Sequence, residues 1–139
     1  MATYNKFQAT VKNVAEKSHN LESDTLKVML TNVAPVATNS VKADLTEISA
    51  GNGYSAGGTA VTISASSQTS GTYKLVGADV VFTASGGSIG PFRYVVLYND
   101  TSTGDMLIGW WDNGTSITLG DGSTFTVDFS AANGILQIT

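Results

Sequence analysis

The sequence predicts an all-β protein: an antiparallel β-sandwich or jelly-roll-like barrel of about eight strands with one N-terminal α-helix. Three observations lead there. Short runs of β-branched and aromatic residues recur at intervals of about ten residues. Turn signals separate them, at 51–58, Gly86-Gly87, Asp112-Asn113-Gly114, Gly120-Asp121-Gly122 and Asn133-Gly134. Charged residues make up only 13 % of the chain, and Ser, Thr and Gly fill the surface instead. The 139 residues, without a linker or an internal repeat, read as one domain, 1–139. Within it, 1–20 form a helix or arm and 21–139 a β-rich body.

Taken in order, residues 4–19 place Phe7, Val11, Val14 and Ala15 at helical spacing, with Thr3 or Asn5 as the cap. The apolar stripe is narrow, so this helix is expected to lie on a surface. It would lid one face of the sheet or reach out to a neighbouring subunit. A strand follows from Thr25 to Thr31, with Leu26, Val28 and Leu30 on one face and Lys27, Met29 and Thr31 on the other. In the long connection after it, Val41, Leu45 and Ile48 anchor a short helical turn or pin the loop. Strands are then expected at 59–66, with Val61 and Ile63 inward, and at 71–77 and 79–85. Beyond the central hairpin, a turn at 112–114 should start a separate strand at 115–119. The strand at 123–130 puts Phe125, Val127 and Phe129 on one face, and 135–139 closes the fold.

The hairpin spanning 89–111 is the centre of the sequence. By simple alternation, Phe92, Tyr94, Val96 and Tyr98 face one way and Val95 and Leu97 the other. Across the turn, Leu107 and Trp111 oppose Met106, Ile108 and Trp110. Both faces are apolar, whereas a half-exposed antiparallel strand alternates apolar with polar. One face needs the sandwich as its cover; the other needs a helix, a loop or a second subunit. Trp110 and Trp111 are consecutive, so their rings diverge. One belongs to the core; the other is a second-face core residue, an interface anchor or a sugar-stacking platform.

Several function classes are disfavoured at this level. With no cysteine there is neither a disulfide nor thiolate chemistry. The opening residues lack the apolar run of a signal peptide and no stretch approaches membrane-spanning length, so a soluble protein made in the cytoplasm is expected, without a membrane partner. Net charge is −4, with five lysines against five carboxylates in 1–50 and all the excess in 51–139. A single arginine and no basic cluster leave phosphate-backbone binding without electrostatic footing, so nucleic acid is not an expected partner. Two G-x-S-x-G matches, around Ser55 and Ser88, lead into strands rather than helices, and the one imidazole, His19, lies upstream of both. They read as turns, and no catalytic residue, cofactor or metal site is expected. Asp100, Asp105, Asp112 and Asp121 fall in turns, where Asx capping is the ordinary role.

Four stretches carry a resemblance: APVATN (34–39), ISAGNGY (48–54), GPFRYVVLYND (90–100) and LIGWWD (107–112). With the opening MATYNKF, and in this order, they resemble small structural proteins of tailed bacteriophages and prophages. Within that group the chain is most similar to capsid decoration (cement) proteins. The resemblance implies a non-enzymatic virion protein on the capsid surface. It would bind the outside of the major capsid protein lattice as a homo-oligomer, often a trimer. A tail component (tube, baseplate or fibre attachment) and a receptor- or glycan-binding module are the alternatives. The residues expected at subunit or capsid interfaces are Phe7, Val11, Val14, Tyr54, Phe92, Tyr94, Trp110 and Trp111. On this reading residues 1–19 act as a contact arm, whose removal weakens assembly more than it harms the fold.

Overall fold

Leu26, Val28 and Leu30 all turn into one core while Met29 enters a second, and this division organises the whole molecule. The computed structural model describes residues 2–139. It is all-β, with 48 % of residues in strands and 7 % helical. The chain runs β1 (Tyr4–Lys6), α1 (Ala9–Ala15), β2 (Leu26–Thr31), a 3₁₀ turn (Lys42–Asp44), β3 (Thr59–Ala60), β4 (Ile63–Thr69) and β5 (Thr72–Gly77). It continues through β6 (Val80–Thr83), β7 (Ile89–Asn99), β8 (Met106–Leu119), β9 (Thr124–Val127) and β10 (Leu136–Ile138). All pairings are antiparallel. One sheet has five strands in the order β1-β8-β7-β2-β3; facing it are β10-β5-β4 and the pair β6-β9. Between these layers lies the main core, where Leu26, Val28, Val95 and Leu97 meet Leu75, Phe82, Val127 and Leu136.

Several local expectations are corrected by the pairing. Residues 4–6 are a strand, not the start of a helix, because the open edge of β8 offers a ladder of backbone partners, Tyr4 opposite Trp111 and Lys6 opposite Gly109. Neither Thr3 nor Asn5 caps α1. Its preceding residue, Gln8, instead donates its backbone N–H to the Ala37 carbonyl at 2.9 Å. A helix of seven residues is too short to stand alone, and tertiary contact holds it: Thr10 donates its hydroxyl to the Ile108 carbonyl at 2.7 Å. The strand expected at 59–66 is two, β3 in the large sheet and β4 in the facing one. The chain changes layers between them, with Val61 buried at the crossing.

The expected turn at 112–114 is a bulge inside β8. Tyr94 stands opposite Asp112 and Phe92 opposite Ile117, so residues 113–116 face Arg93 alone. The Gly114 N–H donates to Asp112 Oδ1 at 2.8 Å, an Asx turn that closes the bulge, and Gly114 takes a φ of +90°. Residues 115–119 therefore belong to β8. Beyond this slip Phe92 packs in the main core with Val95 and Leu97, against simple alternation.

A second bulge lies at Ile108-Gly109. Leu97 pairs with Gly109 and Tyr98 with Leu107, leaving Ile108 over. The alternation of β8 flips there. Leu107 and Trp110 face the second core, while Ile108 and Trp111 face the main one. The expected division of Met106, Ile108 and Trp110 from Leu107 and Trp111 is thus wrong at this step, because a bulge adds one residue to the count.

The second core consists of Phe7, Met29, Val96, Tyr98 and Leu107, with Leu45 and Trp110 at its margin. All five of the central residues are at most 1 % exposed. Their cover is the chain itself: Phe7, just before α1, and Leu45, just after the 3₁₀ turn. A second subunit is not required to seal this face. The N-terminal segment is a lid, and removing it would open a core.

Candidate functional site: the Trp111 cleft

The facing layer is divided into two small sheets, and Trp111 of β8 reaches into the space where they part. Tyr4 on β1 flanks its ring at 5.5 Å between centroids and 57°, and Phe129, beyond β9, at 5.8 Å and 59°. Such tilted pairs are favourable beyond their buried area. Burial pushes the Tyr4 hydroxyl up to about 12, so it stays protonated. Trp111 and Phe129 wall two adjoining hollows of about 280 and 350 Å³. The first also has Phe125, Thr126, Asn113 and Asp128 on its rim. Phe125 is set by an edge-on contact to Phe92 at 5.0 Å and 76°. An aromatic wall with an amide, a hydroxyl and a carboxylate at the mouth suits a small ligand that has one apolar and one hydroxylated face.

Beside the cleft, Arg93 grips Asp112 with two bonds, Nε to Oδ1 at 2.7 Å and Nη2 to Oδ2 at 3.0 Å. The guanidinium and the Gly114 amide hold the Asp112 carboxyl below the usual carboxylate range. Arg93 also lies over the Tyr94 ring, 5.4 Å from its centroid. The pair braces the bulge that carries Asn113. It is open to solvent and screened, so its role is geometric more than energetic.

Two polar hubs, Glu47 half-buried and Asn99 fully buried, escaped the sequence reading. Glu47 Oε1 accepts from the Tyr54 hydroxyl at 2.7 Å and the Gly57 N–H at 2.6 Å, while Tyr98 donates its hydroxyl to the Gly57 carbonyl at 2.6 Å. These bonds fasten the glycine-rich loop to β7. Burial pushes both the Tyr54 and the Tyr98 hydroxyls up. Asn99 is the second hub. Its Oδ1 accepts from the N–H groups of Thr101 and Ser102, and its Nδ2 donates to Asp24 and His19. A polar residue ending an otherwise apolar strand was the available signal for Asn99; for Glu47 there was none.

The residues expected at interfaces divide into three groups. Phe7, Tyr54 and Phe92 are buried, 2 % exposed or less, and have no surface to offer a partner. They are core residues, since apolar bulk beside Gly-rich loops serves packing as well as docking. Tyr94, Trp110, Trp111 and Val14 are half-buried. Of these Trp111 lines the cleft, Trp110 stacks on Phe7 at 4.6 Å, and Val14 borders a shallow hollow with Tyr73 and Ile138. Val11 is 57 % exposed. His19 is buried against Asn99. Among the described residues, no three carboxylate or imidazole groups converge as metal ligands, and no helix is long and apolar enough to cross a membrane. No protein-family model, curated protein or solved structure matches this chain.

Proposed function

We propose that this protein is a structural component of a tailed-phage virion, a decoration protein that binds the outside of the major capsid lattice and stabilises it. The observation that carries this reading is the ordered resemblance at 34–39, 48–54, 90–100 and 107–112. The last two lie in β7 and β8, Asn52 donates to the Ser88 carbonyl at the foot of β7, and Ala37 accepts from Gln8 beside α1. What the resemblance preserves is a scaffold rather than a set of reactive groups.

Adhesion then rests on the outer surface, since both cores are sealed within the chain. Val11 on α1 and Val33 and Val36 in the loop are each more than half exposed, at 57, 56 and 57 %. The Gln8–Ala37 bond joins the two segments that bear them. Covering such side chains is worth roughly 25 cal/mol per Å² before the costs of association. The test is an electron-microscopy map of intact particles together with capsid co-sedimentation of V11D/V36D. Density on the shell and weakened binding of the variant are expected. Density confined to the tail would replace this reading with a tail component, and absence from the particle would end both.

The Trp111 cleft favours a second reading, recognition of a glycan by stacking on an aromatic wall with Asn113 and Asp128 at the rim. A glycan array probes it, with N113A/D128A as the control that should lose any hit.

A further inference from the structure

The edges of the sheets differ in how well they are protected. β1, β3 and β10 are three, two and three residues long, and β6 and β9 four each. β4 is seven residues long, pairs only with β5, and lies at the end of its sheet. Its sequence, ISASSQT, contains no charge and no proline, the usual devices that keep an edge strand from pairing with another chain. Its one such device is a bulge at Ser64, where Ile63 pairs with Gly77 and Ala65 with Val76. Beyond it, Ala65–Thr69 run in unbroken register against β5, and all but Ser66 are exposed. Lys74, opposite Ser67, takes its ammonium to the Ala132 carbonyl at 3.2 Å, before β10.

We propose that β4 is a self-association edge. Two copies of this chain pair antiparallel along Ala65–Thr69 about a two-fold axis at Ser67, joining two three-stranded sheets into one of six. The occupant is a second copy because this edge offers main-chain donors and acceptors and neutral side chains, whose pairing with themselves leaves no charge unmatched. The sequence is self-complementary about the axis. Ser67 meets its own counterpart, Ser66 meets Gln68, and Ala65 meets Thr69, all neutral pairs that cross-strand contact tolerates or favours. An interface of this kind is isologous and closes as a dimer. The inference stands independently of the virion reading, since it needs only the chain itself.

The experiment is sedimentation equilibrium of the full chain over a wide concentration range, with two variants. In A65K/T69K like charges face each other across the axis twice, and dimerisation should weaken by about tenfold or more. In A65K/T69E opposite charges meet at the same places, and dimerisation should return. Amide exchange on the unaltered protein supplies a check that needs no variant: alternate β4 amides should gain protection as concentration rises. A monomer at all concentrations, a trimer, a dimer indifferent to A65K/T69K, or β4 amides whose exchange ignores concentration would each overturn the proposal.

Discussion

Asn99, the last residue of β7, donates its side-chain amide to Nδ1 of His19 across 3.0 Å. Its other amide hydrogen goes to Asp24 Oδ2 at 2.7 Å, so the ring nitrogen facing Asn99 is an acceptor. His19 is therefore neutral, with its proton on Nε2. That nitrogen is buried without a hydrogen-bond partner among the described residues. A proton added at Nδ1 would set donor against donor and break the link between the segment after α1 and the hairpin end.

Stability should consequently fall on mild acidification. Burial lowers the His19 pKa from 6.5, with the Asp24 charge opposing in part. The unfolded chain takes up a proton near pH 6.5, whereas the folded chain resists until lower pH. The contribution is fully present above about 6.5 and is lost as pH falls from there through the folded value. Thermal melts between about pH 7.5 and 5 should show this loss, and His19→Gln should flatten it. An unchanged slope in the variant would assign the titration elsewhere.

Removing the hub itself has a larger effect. Asn99→Ala strands the N–H groups of Thr101 and Ser102 and unties Asp24 and His19, at a fully buried position. A loss of about 2–4 kcal/mol is expected in urea unfolding. A change below about 0.5 kcal/mol would mean that the turn is held by something else.

The N-terminal lid gives a direct test of the second core. Phe7→Ala should cost about 3–5 kcal/mol, because the side chain is fully buried against Met29, Val96, Tyr98 and Leu107. Deleting residues 1–19 should expose that whole surface and yield a protein that binds hydrophobic dye or fails to fold. A deletion variant with unaltered melting would restore the idea of a detachable arm.

Gly109 and Tyr4 should be coupled. A Cβ at Gly109 would collide with the Tyr4 ring and approach the Asn5 carbonyl. Gly109→Ala should destabilise by about 1–3 kcal/mol, and part of that cost should vanish in a Tyr4→Ala background. Additive effects in the double-mutant cycle would show that the backbone contact, not the ring, imposes glycine.

The hydrophobic alternation of β2 and of Phe125, Val127 and Phe129 was legible, because period-2 patterning survives wherever a strand is regular. The doubly apolar hairpin was legible too, and its two covers are real. A lid from the N-terminal segment was one of the two readings the sequence allowed for the second face; which residues meet there was not legible, since Phe7 lies about 90 residues from Val96 in sequence and nothing local marks the pair. The bulges at Ile108-Gly109 and 113–116 were invisible for another reason. Alternation counts residues, and a bulge changes the count without changing composition. Of the cleft, Trp111 alone was singled out; Asn113, Thr126 and Asp128 look like ordinary turn and surface residues until the two layers bring them together.

The extra residue at Ile108 makes the destination of each tryptophan a matter of arithmetic rather than chemistry. The same residues paired without the bulge would turn the dipeptide around, sending the first indole toward the cleft and the second beneath the lid. Loss of the Ile108 codon, by contrast, would leave an unbroken ladder in which Leu107 and Trp110 still share a face, and each indole would keep its side.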